Sequence, residues 1–172
     1  MRHRREEQRG QAMVEFALVL VVIVLLMVGI LDFGRVIFSH NDSSHAARDA
    51  TRQASVSVVD CESTYHVVQH QTRGQSSVTA QVFYRRGPST LDQNPPWTSV
   101  CPAYDPSVTY DDDPATGTSS VAVNPSIGGE VRVQVDNSVA LATPLISNIV
   151  GSVVDVSASS TMVVTFCPTC IE

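Results

Sequence analysis

Cysteine, histidine and aspartate side chains occur in this sequence at spacings that could support redox chemistry or metal binding. Cys167 and Cys170 have the C-x-x-C spacing of dithiol redox sites and of half a zinc site. His66 and His70 are four residues apart and would share one face of a helix. Residues 111–113 are three successive aspartates, which offer the oxygen ligands that calcium prefers. None of these patterns has the further ligands of a complete site, so we expect a structural disulfide, a solvated histidine pair and a solvated acidic loop, with no metal and no cofactor.

The sequence contains no recognisable catalytic motif. It has no G-x-S-x-G, no P-loop and no dinucleotide-binding fingerprint. The chain carries 11 Lys and Arg residues against 17 Asp and Glu residues, and this acidic balance argues against a nucleic-acid partner because phosphate binding needs a basic face. We expect a protein that is not an enzyme and does not bind nucleic acid.

A long apolar run near the N-terminus predicts a membrane-spanning helix. From Met13 to Leu31 it covers nineteen positions, about 28 Å of helix at ~1.5 Å per residue. Its one charged residue is Glu15, and a carboxylate at the edge of hydrocarbon is costly, which usually marks function. Four arginines precede the run, at positions 2, 4, 5 and 9. Because positive flanks stay in the cytoplasm, we expect a single-pass protein with its N-terminus inside and its head outside.

The helical pattern continues beyond the apolar run to about residue 58. Alanine and apolar positions recur at helical spacing between Phe33 and Ala54 without any proline, with a possible weak point at residues 41–44. Asp32 and Arg35 are three residues apart, so they are predicted to pair on one helix face where the chain leaves the membrane. The sequence therefore predicts one long helix, apolar in its first half and amphipathic in its second.

The four cysteines all follow the apolar run and would lie on the oxidising side of the membrane. Three pairings are possible. We favour Cys61 with Cys101, which closes a long loop, and Cys167 with Cys170.

The remainder of the chain predicts a small head of mixed structure. Alternating apolar and polar residues indicate strands at 76–84, 118–123, 129–139 and 154–166. Helical patterns occur at 63–74 and 143–151. The expected fold class is α+β: a long N-terminal helix followed by a small antiparallel sheet with one or two short helices. The predicted regions are a basic leader (1–10), a transmembrane half-helix (11–31), an amphipathic half-helix (32–58) and a head (59–172) with an irregular insertion at 87–117.

The N-terminal residues resemble the processing site of type IV pilins and pseudopilins. Arg9-Gly10, four further residues and then Glu15-Phe16 open a long apolar helix. More narrowly, GQAMVEFALVL, GILDFGR and AARDATRQAS resemble the TadE/TadG-like family of tight-adherence (Flp) pilus assembly proteins, over about residues 9 to 55. The resemblance implies that a prepilin peptidase cuts after Gly10 and leaves Gln11 as the new N-terminus. It also implies that Glu15 pairs with the terminal ammonium of a neighbouring subunit, although a plain position in the headgroup region would also accommodate this carboxylate.

The function implied by this resemblance is that of a minor pilin or pseudopilin that initiates, caps or scaffolds a tight-adherence pilus used in surface adhesion. Its expected partners are the prepilin peptidase, other pilin-like subunits, the tight-adherence secretion machinery and the membrane. Its expected location is the bacterial cytoplasmic membrane, with possible incorporation in an extracellular pilus. The alternative is an unprocessed single-pass signal-anchor protein whose outer head binds a ligand or a surface.

Overall fold

The computed structural model describes residues 3–56, 60–75, 77–88, 93–110, 128–143, 147–148 and 151–164, with side chains described from residue 11 onward. Within these ranges the chain forms two helices and one four-stranded sheet. In chain order the elements are α1 (His3–Val56), α2 (Cys61–Gln71), β1 (Val78–Arg85), β2 (Thr98–Ser99), β3 (Glu130–Ala140) and β4 (Val153–Val163). The predicted α+β class is confirmed.

The long helix α1 is continuous over 54 residues, including the predicted weak point at 41–44. The chain divides into two compact units, and α1 contributes to both. The anchor unit comprises residues 1–37 and 140–154, and the head unit comprises 38–139 and 155–172. The anchor unit therefore joins the apolar part of α1 to the connection between β3 and β4.

The sheet has the strand order β2-β1-β3-β4. β1 pairs antiparallel with β3, with Val82 opposite Val133, and antiparallel with the short β2, with Phe83 opposite Ser99. Side chains of β1 and β3 alternate between buried and more exposed positions, as expected where one sheet face covers a core. The predicted strands at 76–84, 129–139 and 154–166 correspond to β1, β3 and β4, whereas the strand predicted at 118–123 lies outside the described residues.

The core of the head unit forms between small residues of α1 and valines of the sheet. Val82, Val133 and Val135 are fully buried. The α1 residues of the same cluster are four alanines, each at most 1% exposed: Ala46, Ala47, Ala50 and Ala54. Small side chains let a helix backbone approach a sheet closely, so valine-sized side chains are enough to fill the space.

Helix α2 begins earlier than its sequence pattern suggested. Asp60 caps it, because the side-chain oxygen Oδ1 accepts a hydrogen bond from the Glu62 backbone N–H at 3.0 Å. The helix ends at Gln71, and Gly74 follows with a φ of +87°, a conformation that favours glycine. The predicted helix at 63–74 is thus present, shifted towards the N-terminus by its aspartate cap.

Strand β2 was missed, because residues 87–117 were expected to be irregular throughout. Only two residues form β2, which is too few to show an alternation of apolar and polar residues. The strand is defined by its pairing with β1, which is distant in the chain.

Candidate functional site

The apolar part of α1 is exposed along its length. Its hydropathy and length qualify it as a membrane-spanning helix, and none of its most apolar window is buried inside the protein. Exposed fractions are 67% for Phe16, 60% for Leu26 and 64% for Leu31. A helix that is apolar on all sides and uncovered by its own chain needs an apolar surrounding. The arrangement is consistent with a single-pass membrane protein.

Glu15 lies on this segment with its side chain exposed, four residues after Gln11. It is the one charged residue between Gln11 and Leu31. Gly10, after which processing is expected, lies on α1 as well, at the limit of the described side chains. Glu15 therefore lies on an exposed part of the helix, where another molecule can reach its side chain.

Asp32 follows the apolar run directly and is buried, with 4% of its surface exposed. Its Oδ1 accepts a hydrogen bond from the Ala142 backbone N–H at 3.2 Å, and its Oδ2 accepts one from the Thr143 backbone N–H at 3.0 Å. The Thr143 hydroxyl also donates to Oδ2. Through these hydrogen bonds, Asp32 holds the start of the β3 to β4 connection against α1.

Asp32 and Arg35, the pair predicted at the membrane exit, interact electrostatically but do not form an ion pair within 4.0 Å. Arg35 is exposed, and in the described part of the chain the one ion pair within 4.0 Å joins Arg85 and Glu130. The direct hydrogen-bond donors to the Asp32 carboxylate are two backbone N–H groups and a hydroxyl, brought by a segment 110 residues away. Helical spacing placed the two side chains on one face but could not reveal these donors.

The connection between β3 and β4 has a hydrogen-bonded framework of its own. The Leu141 N–H donates to the Ser152 carbonyl at 3.1 Å, the Ser147 N–H to the Thr143 carbonyl at 2.9 Å, and the Gly151 N–H to the Ser147 carbonyl at 3.0 Å. The last two bonds have the four-residue separation of α-helical turns. They agree with the predicted helix at 143–151, of which only residues 143, 147, 148 and 151 are described.

A polar network in the head unit was also missed by the sequence. Asn137, near the end of β3, is 4% exposed, and its amide donates to the Ser39 hydroxyl at 2.5 Å and to the Gln75 side-chain oxygen. The Gln75 amide in turn donates to Asp42 at 3.0 Å. The network ties α1 to β3 and to the segment after α2, and no periodicity in the sequence indicates it.

Cys61 and Cys101 form a disulfide that closes a separation of 40 residues, in the pairing favoured from the sequence. Three tyrosines cluster nearby: the ring centroid of Tyr65 lies 5.4 Å from those of Tyr104 and Tyr110. The Tyr65 hydroxyl donates to the Pro102 carbonyl at 2.5 Å, and burial of the ring raises the pKa of Tyr65 above its ordinary value. The disulfide and the tyrosines together hold the 100–110 segment on α2. Cys167 and Cys170 lie outside the described residues, as do Asp111 to Asp113.

His66 and His70 line an open cleft between α2 and α1, with their ring centroids 6.3 Å apart. Asp49 lines the same cleft, but its carboxylate accepts a hydrogen bond from the Gln71 amide at 3.0 Å. Over the residues that the structure describes, no three His, Cys, Asp or Glu side chains are arranged to hold a metal ion. The cleft carries a histidine pair and no evident third ligand from that set.

Trp97 is not part of the buried core cluster. It lies half-buried on the polar face of the sheet, with the guanidinium carbons of Arg85 and Arg132 at 4.7 and 4.1 Å from its ring. Arg85 also pairs with Glu130. Phe83, Arg85 and Arg132 share the face opposite the buried valines, and the two guanidinium groups pack on the indole there.

The fold and the exposed segment define an α+β protein with one N-terminal apolar helix suited to crossing a membrane once. The model of the TadE-like protein family matches residues 10–52, all within α1. The resemblance predicted for residues 9 to 55 is therefore confirmed over that range, and it indicates a function related to the tight-adherence pilus. Neither the curated proteins nor the solved structures contain a significant match to this chain.

Proposed function

We propose that this chain is a minor pilin or pseudopilin of the TadE-like type that takes part in assembling a tight-adherence pilus, without catalytic activity. The observation that carries the proposal is the coincidence of the family match at 10–52 with an exposed apolar helix that holds a single carboxylate, Glu15. A covered core helix would not have this exposure. A head of this size suits an initiating, tip or scaffold subunit rather than the bulk subunit of a thin filament.

In this mechanism the apolar part of α1 is transferred from one apolar surrounding to another. Before assembly, the apolar part of α1 lies in the cytoplasmic membrane, with the basic leader inside and the head outside. During assembly it packs against the helices of neighbouring subunits, where small residues permit close approach. Both surroundings lack water, so the exposed apolar side chains are accommodated in each.

Glu15 supplies the specificity of this step. Cleavage after Gly10 by a prepilin peptidase frees the amine of Gln11, and in a neighbouring subunit this ammonium pairs with Glu15. Each charge alone would be costly in an apolar surrounding, and the pair reduces that cost. The pairing selects subunits that have been processed and sets their register along the helix bundle.

The deciding experiment measures the mass of the mature chain in cells with and without the prepilin peptidase. We expect loss of residues 1–10 only when the peptidase is present. The matched variants are Gly10→Ala and Gly10→Leu, of which the bulkier should block processing more strongly. An intact leader in wild-type cells would instead favour the unprocessed signal-anchor protein with a ligand-binding head.

A second experiment tests the assembly role separately. Sheared pili and membranes are probed for this chain after cross-linking, with wild type and Glu15→Gln compared. We expect the wild-type chain to be cross-linked to pilin-like subunits or to the secretion machinery. Its absence from all such complexes would contradict the proposal even if processing occurred.

A further inference from the structure

The connection between β3 and β4, residues 140–154, is unusual in composition for an extracytoplasmic segment. It contains no Asp, Glu, Lys, Arg or His, and seven of its fifteen residues are Leu, Ile or Val. The charged residues that flank it are Asp136 and Asp155. Connections between strands usually lie in water and carry polar side chains, so an uncharged aliphatic connection calls for an apolar neighbour.

The position of this connection is fixed by Asp32. Ala142 and Thr143 donate to a carboxylate that follows Leu31, the last residue of the apolar run, along α1. One helix residue corresponds to about 1.5 Å of rise. The start of the connection is thus held at the level where the apolar run ends, and both belong to the same compact unit.

The surface around this level is apolar. On α1, Ile30 is 70% exposed and Phe33 is 67% exposed, and on the returning strand Val153 is 47% exposed. Phe33 follows Asp32 on α1, so the exposed apolar surface of the helix continues past Asp32.

The backbone of the connection is suited to a medium with little water. The N–H groups of Ala142 and Thr143 are taken up by Asp32, and those of Leu141, Ser147 and Gly151 by carbonyls of the connection itself. Unsatisfied backbone groups are costly at membrane depth, so segments that enter the interface satisfy them internally. Three hydrogen-bond donors surround the Asp32 carboxylate, and they reduce the cost of placing its charge near the apolar region.

We propose that the described parts of this connection, residues 140–143, 147–148 and 151–154, form a second membrane contact, which lies in the outer interface of the phospholipid bilayer, and that Asp32 is the positioning residue that holds it there. The inference rests on the membrane-spanning placement of α1 in the proposed function, but it requires neither processing nor pilus assembly.

The test uses the full chain reconstituted in phosphatidylcholine vesicles whose acyl chains carry bromine, which quenches nearby tryptophan. The probe is Asn148→Trp in a Trp97→Phe background, because Asn148 is exposed. The wild-type chain, whose one tryptophan packs on Arg132 near the start of β3, is the control. We expect a blue shift and loss of most emission for the probe, with little change for Trp97. Equal emission in brominated and plain vesicles would overturn the proposal.

Asp32→Asn in the probe background tests the positioning role, with Arg35→Gln as the matched exposed control. We expect Asp32→Asn to recover part of the probe emission and Arg35→Gln to leave it quenched. Unchanged quenching in Asp32→Asn would overturn the assignment of Asp32 as the positioning residue.

A measurement on the unmodified chain tests the contact without any substitution, so it does not depend on whether a variant folds. Vesicles that contain a photoreactive phospholipid are irradiated, and labelled peptides are identified by mass. Label on 140–154 supports the contact, and label confined to α1 overturns it. Flotation of the chain with vesicles after an alkaline wash reports insertion of α1 separately. A chain that floats but leaves 140–154 unlabelled contradicts this inference alone, whereas a chain that does not float contradicts the membrane placement of α1 itself.

Discussion

The carboxylate of Asp32 accepts two hydrogen bonds from Thr143, one from its backbone N–H at 3.0 Å and one from its hydroxyl. The two residues are 111 positions apart in the chain. Asp32 ends the apolar run of α1, and Thr143 begins an uncharged connection between two strands. The relationship means that the end of the apolar run and the start of the β3 to β4 connection are joined within one compact unit.

Glu15→Gln should separate insertion from assembly. The amide keeps the shape of the side chain and removes its charge, so insertion and cleavage should proceed while co-purification with pilin-like subunits falls. Quantitative mass spectrometry of cross-linked complexes measures the loss. Normal co-purification would contradict the ion-pair role of Glu15.

The new N-terminal amine should be free or methylated. An N-terminal glutamine can cyclise with loss of ammonia, and this would erase the ammonium that Glu15 is proposed to neutralise. An unpaired carboxylate in lipid would tend to take up a proton instead. Mass spectrometry of the peptide that begins at Gln11 distinguishes the forms. Complete cyclisation in the membrane-embedded protein would count against the pairing.

Reduction or removal of the Cys61–Cys101 disulfide should destabilise the head. The bridge closes a separation of 40 residues, and bridges of this kind contribute about 2 to 4 kcal/mol to the free energy of unfolding. Cys61→Ser with Cys101→Ser should therefore lower the denaturant midpoint of the full chain in detergent. Ser99→Ala, an exposed neighbour on β2, is the control. Equal midpoints for the double variant and wild type would contradict the expectation.

Asn137→Ala should weaken the contact between α1 and β3. The buried amide donates to Ser39 and Gln75, and loss of a buried hydrogen-bond partner costs about 1 to 3 kcal/mol. Ser138→Ala provides a matched control, because the adjacent hydroxyl contacts Asp155 on the exposed side. Denaturant unfolding of both variants measures the difference, and equal stability of the two would show that the network contributes little.

Tyr65 should make the head sensitive to alkaline pH. Burial raises the pKa of Tyr65 above the ordinary value of 10.0, so the folded state holds this proton more tightly than the unfolded state. The corresponding stability is complete below pH 10 and declines as the pH rises above it. Unfolding followed by circular dichroism from pH 9 to 12 measures the decline. Tyr65→Phe should flatten it, and an unchanged pH dependence in that variant would exclude Tyr65 as its source.

The sequence by itself determined the long helix, its apolar half, the α+β class and three of the strands. These features rest on periodicity and composition, which act between residues close in the chain: alternating valines give β1 and β3, and alanines at helical spacing mark the face of α1 that enters the core. The Cys61–Cys101 pairing was favoured from the sequence as one of three possible pairings, and the structure contains it. The family resemblance rested on residues 9 to 55, of which the family model matches 10–52.

Only the tertiary structure decided which partners the polar residues take. Arg35 was the neighbour of Asp32 along the helix, yet Thr143 holds its carboxylate. Trp97 packs with Arg85 and Arg132, and the two-residue strand β2 exists because β1 offers it an edge. A hydrogen bond depends on a few tenths of an ångström and on geometry that distant segments create together. Local spacing restricts which side chains share a face, but it does not specify which distant donor reaches them.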